Sequence, residues 1–270
     1  MPIWIMCAML FAQQAPPPAP PPATAPASPV LEIGATHHEV WSEGAPRLGP
    51  WRIVHGSLAW QPPRRVRPRI ELERQSRPSG GHYRASAGVY VDWTPTFYSY
   101  QALTVAPSTS ADRRFYPSRR ADVRLFWKIP EHEGVTLAAG YTGLTFGAPQ
   151  RSHILNVGTI LYGRHAIVQG TLYVNRNEPG TLHSAAANLS VQVGAEGRGW
   201  YGASISGGRE LYRLGTLGTG GTADFTTATV GGFVRQWLTK TAGVHATFEY
   251  QRIMTSYSRV GVTAHLFVGF

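Results

Sequence analysis

The stretch that most constrains this chain is its last one, residues 256–270. Phe270, Val268, Leu266, Ala264, Val262 and Val260 alternate there with Gly269, Phe267, His265, Thr263, Gly261 and Arg259. A period of two over a dozen residues belongs to a β-strand with one apolar and one mostly polar face. A strand this long needs a hydrogen-bonding partner along its whole length. In a membrane barrel the last strand finds that partner in the first, which leaves no open edge facing lipid.

Composition narrows the class. Only 15% of the residues are charged, against ~25% in ordinary soluble domains, while glycine is raised to 30 residues. No apolar run approaches the ~20 residues that a spanning helix requires, so any membrane crossing must use strands. The formal charge is +10 and comes almost wholly from arginine, since Lys128 and Lys240 are the only lysines. Such a balance could favour anionic ligands or lipid phosphates, but a compositional bias of the genome is the preferred account.

The amino terminus reads as a leader. Residues 1–15 contain an apolar run of signal-peptide length, lacking Lys or Arg ahead of it, and hold the chain's single cysteine, Cys7. A cysteine-free mature chain is compatible with an oxidising envelope compartment. Residues 16–29 are Pro/Ala-rich and cannot build a hydrogen-bonded ladder, which predicts an extended spacer. Residues 30–270 are predicted to form one all-β domain.

About fourteen strands (twelve to sixteen) are expected there, at 31–40, 51–61, 67–75, 81–93, 97–105, 119–129, 135–146, 151–162, 165–175, 183–193, 199–209, 224–237, 243–251 and 256–270. Alternation alone suits a soluble sandwich as well as a barrel. Two features separate them. Long connections at 42–50, 107–117 and 210–223 fall on one side of the strand series, and tight ones at 94–96 and 163–164 on the other, which is the barrel pattern. Tryptophans also flank turns rather than strand centres. Trp60, Trp93, Trp127, Trp200 and Trp237, with Phe270, are therefore read as membrane-interface aromatics. The fold expected is a closed antiparallel up-and-down transmembrane β-barrel, with its amino terminus in the periplasm.

The polar face carries charges of both signs: Arg69, Glu71, Glu73, Arg84, Asp92, Arg120, Asp122, Arg124, Glu249 and Arg259. Facing inward, they could pair across neighbouring strands and fill the lumen, or line a narrow anion-preferring channel. The histidines, including the adjacent His37 and His38, show no spacing to Cys, Asp or Glu typical of a metal site. No catalytic residue, cofactor or metal is assigned. The glycine-rich run 215–221 lacks the Lys-Ser/Thr and the helix of a phosphate cradle and reads as a loop. No Gly-x-Ser-x-Gly element is present, so an outer-rim lipid-modifying enzyme rests only on generic Ser and His residues.

Several landmarks resemble one family. They are Glu71-Leu-Glu-Arg-Gln75 followed by the strand at 81–94, Pro117-Ser-Arg-Arg-Ala-Asp-Val-Arg-Leu125, Ser206-Gly-Gly-Arg-Glu210, and Phe248-Glu-Tyr-Gln-Arg252 leading to Phe270. From Leu31 onward the chain is similar to the YaiO-type outer-membrane β-barrels. The resemblance implies an integral outer-membrane location and no particular reaction or functional residue. The partners expected are outer-membrane lipids including lipopolysaccharide and, during assembly, the barrel-insertion machinery, with no nucleic acid and a monomeric state. The favoured functional reading is a structural or envelope role with a filled lumen. The alternative is a narrow channel or export port for anionic or saccharide solutes.

Overall fold

The computed structural model describes residues 29–41, 49–60, 65–77, 80–106, 117–146, 150–179, 181–213, 222–253 and 257–270, with side chains of 210–213 and 222–225 left aside. The expected leader and spacer lie outside these residues apart from Pro29, as does the glycine-rich run 215–221.

Fourteen strands follow one another without a helix among the described residues. They are β1 (Pro29–Trp41), β2 (Trp51–Trp60), β3 (Val66–Arg77), β4 (Gly80–Asp92), β5 (Phe97–Val105), β6 (Arg119–Lys128) and β7 (Val135–Thr145). Then come β8 (Arg151–Tyr162), β9 (Ala166–Glu178), β10 (Leu182–Ala195), β11 (Gly199–Arg213), β12 (Thr222–Trp237), β13 (Ala242–Ile253) and β14 (Tyr257–Gly269). Each pairs antiparallel with its neighbours in sequence, and β1 pairs with β14 to close the barrel. The closing ladder runs from Val30 opposite Gly269 to Trp41 opposite Ser258, and the Phe270 amide donates to the Pro29 carbonyl at 3.1 Å. β14 thus has β1 as its partner from Ser258 to Gly269.

The even strand count brings Pro29 and Phe270 to one end, here the terminal end. Its turns are made locally. Thr94 Oγ1 accepts the Phe97 amide at 2.9 Å, and Thr239 Oγ1 accepts the Ala242 amide at 2.9 Å. Both follow the pattern of a hydroxyl standing in for a backbone acceptor in a tight turn. The longer connections leave the opposite, distal end. One of them is shorter than expected. The ladder of β11 and β12 continues from Arg209–Thr226 to Arg213–Thr222, so the stretch 210–223 contributes strand at both shoulders and only 214–221 joins them. The glycines of 215–221 give the whole run a loop-like composition, although its flanks pair.

The outer surface explains the environment. Ile33, Leu72, Leu103, Leu155, Ile205 and Leu266 are all more than half exposed and occur around the whole barrel. An apolar surface continuous over every strand exceeds what a soluble monomer presents to water and suits lipid. With ~4.8 Å between strands and a tilt near ~40°, fourteen strands enclose a cylinder roughly 28 Å across at the backbone.

Candidate functional site in the barrel lumen

Register decides which residues share the lumen. Glu73 sits opposite His55 on β2 and Arg84 on β4, and Thr104 opposite Ser86 and Arg120. Following these rows around the barrel places Arg69, Glu71, Glu73, Arg84, Asp92, Arg120, Asp122, Arg124, Glu249 and Arg259 on the inward face.

Their contacts run along the wall. Arg84 Nη2 lies 2.5 Å from Glu73 Oε2, between directly opposed residues, and Arg67 Nη2 lies 2.6 Å from Asp92 Oδ1 on the diagonal. Arg69 meets Glu71 at 2.5 Å and Arg120 meets Asp122 at 2.7 Å, each pair two residues apart on one strand. Thr142 donates to Asp122 at 2.7 Å, and Arg259 pairs with Glu249. Pairing is therefore as much within strands as between them. Arg124 and Lys128 form no ion pair with the described residues.

The rest of the wall is neutral. From β7 to β11 the described inward side chains carry no charge and include Asn156, Gln169, Asn175, Asn188 and Gln192. Aromatic rings lie along the wall on β4 to β6. Tyr98 stacks on Phe126 with centroids 4.5 Å apart, Tyr90 meets Tyr100 at 4.6 Å, and Arg67 lies 5.6 Å over Tyr90. Elsewhere an inward ring is laid over a glycine of the next strand. Phe233 faces Gly202 directly, and a Cβ added there would meet the ring at 2.1 Å. This packing keeps bulky rings against the wall.

Residues not singled out from sequence gather near the terminal end. Glu32 on β1 accepts from Nδ1 of His245 on β13 at 3.1 Å, faces Nδ1 of His265 on β14 at 2.7 Å, and meets Arg235 Nη1 on β12 at 3.3 Å. His55 on β2 reaches His265 at 3.1 Å. Gly34 makes this possible, because it lies opposite both His55 and His265, and a Cβ on it would meet the His265 ring at 2.7 Å. Residue types on the polar face were visible in sequence, but their meeting depends on the β1–β14 closure. Pairing the first strand with the last, with Gly34 opposite His265, is the signal that finds it.

The six interface aromatics divide. Trp60, Trp93 and Trp127 are 55%, 52% and 51% exposed on the outer face at the terminal end, and Phe270 shares that face with Leu266 and Val268. Trp200 and Trp237 have the opposite parity. Trp200 lies opposite Gly194 and Arg235, and Trp237 packs on Phe267 at 5.2 Å with Arg235 5.3 Å from its ring. Both belong to the lumen wall, while Tyr201, exposed and bonded to Gln236 at 3.0 Å, takes the outer position beside Trp200. Flanking a turn fixes height in the barrel and leaves the face undecided.

Among solved structures, the fold is similar to "CymD monoaromatic hydrocarbon channel" (TM-score 0.59, 9% identity, 92% of this chain and 90% of that one). It is also similar to "Bacterial polysaccharide outer membrane secretin" (TM-score 0.56, 11% identity, 90% and 99%). A third is Omp33, an outer membrane protein of Acinetobacter baumannii (TM-score 0.51, 11% identity, 90% and 99%). These likenesses concern the fold. No curated protein matches the chain in sequence. The model of the YaiO membrane beta barrel domain matches residues 32–213, most of the strands described above, and the chain belongs to that family of outer-membrane barrels.

Proposed function

We propose that the barrel is a water-filled passage for polar solutes through the outer membrane, with a preference for neutral and anionic ones. The observation that carries this reading is the lie of the inward charges. They pair with neighbours on the same wall rather than across the axis, and part of the row keeps contact with water: the side chains of Arg69, Glu71 and Asp92 are 30%, 40% and 38% exposed, while Glu73 and Asp122 are 12% and Arg259 is 6% exposed against the wall. In a lumen filled by its own side chains these groups would be desolvated. Asn and Gln on β7 to β11 offer neutral hydrogen-bonding partners, and Arg124 and Lys128 leave the charged arc with a positive surplus. This departs from the structural role favoured on sequence grounds. Long connections leaving the distal end support placing the terminal end in the periplasm.

Planar-bilayer recording of the purified barrel tests the reading. A stable, reproducible conductance is expected, with anion over cation permeability falling about twofold or more in Arg124→Glu. A silent bilayer containing folded, heat-modifiable protein would return the barrel to a structural role.

A further inference from the structure

We propose that Glu32, His245 and His265, with His55 beside them, form a binding site for a divalent transition-metal ion on the lumen wall. It requires only the closed barrel and stands whether or not solutes pass. One ligand atom from each of Glu32, His245 and His265 lies within 4.8 Å of the other two. Bonds of ~2.0–2.1 Å to a tetrahedral ion place ligand atoms a little over ~3 Å apart, so small side-chain movements suffice. Two imidazoles and one carboxylate around an open position make a donor set that suits zinc, cobalt, nickel or copper, and suits magnesium and calcium poorly.

The surroundings orient the donors. His245 and His265 both aim Nδ1 at Glu32 Oε1, at 3.1 and 2.7 Å, while Arg235 holds Oε2 at 3.3 Å. The other carboxylate oxygen is thus fixed by an outer partner, which is how ligating carboxylates are commonly held. His55 Nε2, 3.1 Å from His265 Nε2, can supply a fourth nitrogen or bond a metal-bound water. A purely structural network is the competing account, with the two imidazoles and Arg235 satisfying Glu32. The positive charge of Arg235 also tempers the affinity for a cation.

Both accounts keep the contacts, so the experiment must read the ion. The full barrel, folded in detergent without a polyhistidine tag, is titrated with Zn²⁺ by equilibrium dialysis and with Co²⁺ by visible absorption. The proposal expects one ion per chain and tetrahedral cobalt bands. It expects binding roughly tenfold or more weaker in His265→Ala and in Glu32→Gln, and no change in His37→Ala, whose ring is half exposed and bonds Glu39. Heat modifiability confirms folding of each variant, and His245→Gln stands in if His265→Ala fails to fold. No saturable binding by the wild type, or binding that survives in Glu32→Gln and is lost in His37→Ala, overturns the proposal.

Discussion

Replacing Gly194 with alanine should destabilise the barrel by about 3–5 kcal/mol, the largest effect expected of any single methyl group here. Two costs add. Gly194 has φ near 149°, a conformation that side chains rarely adopt, and a Cβ there would stand 2.0 Å from the Gly199 carbonyl oxygen across the β10–β11 ladder. That oxygen is backbone, held by strands on both sides, and cannot swing away. Two other glycines separate the costs. Gly197, with φ near 76° in the following turn, has open space where its Cβ would lie, so Gly197→Ala should cost only about 1 kcal/mol. Gly170 has open space and no unusual φ, and its alanine variant should fall within about 0.5 kcal/mol of wild type. Urea unfolding in lipid vesicles, followed by tryptophan fluorescence, checks the order. An alanine at 194 as stable as one at 170 would mean that β10 pairs with β11 in another register.

The second large effect is expected at the distal end. The Arg259 side chain is 6% exposed, pairs with Glu249 and lies 5.8 Å from the Trp51 ring. Trp51 is itself buried, with Arg77 at 4.4 Å over its face and Tyr257 at 6.2 Å. Arg259→Met leaves Glu249, which is 28% exposed, without its charged partner and removes the buried guanidinium from beside Trp51, and should cost about 1.5–3 kcal/mol. Adding Glu249→Gln removes the stranded charge, and the double variant should recover most of the loss, since replacing both members of a buried pair is often nearly neutral. The double-mutant cycle isolates this coupling from the lost packing on Trp51. A coupling energy near zero would show that Arg259 acts through packing on Trp51 alone.

The fold was largely legible because its signal is local. Alternation in 81–93, 119–129 and 243–251 needs no knowledge of partners, and it already separates Arg84, Arg120 and His245 from Tyr83, Ala121 and Val244. Turn chemistry such as Thr94-Pro-Thr96 is equally local. Register is not. Glu32 and His265 stand at opposite ends of the chain, and their meeting depends on which residue of β1 faces which residue of β14. Spacing rules for metal ligands test neighbours in sequence and are blind to such a pair. Trp200 and Trp237 show the same limit at smaller scale, since one residue of parity exchanges lipid for lumen. The shoulders of 210–223 look like loop in sequence because the glycines of 215–221 lie between them, yet they pair as strand.

Charges that pair along one wall also govern how a dissolved molecule senses the barrel from a distance. A closed ion pair such as Arg69–Glu71 is a small dipole whose field dies away faster than that of a lone charge, and ionic screening over ~8 Å shortens it further. Such pairs are felt on contact. Arg124 and Lys128, both on β6 and without a carboxylate partner among the described residues, act instead as monopoles. The resulting potential points across the bore, away from β6, rather than along its axis. In the passage proposed above, a dipolar solute would therefore be turned crosswise, its negative end toward β6, so that orientation as well as charge would be selected.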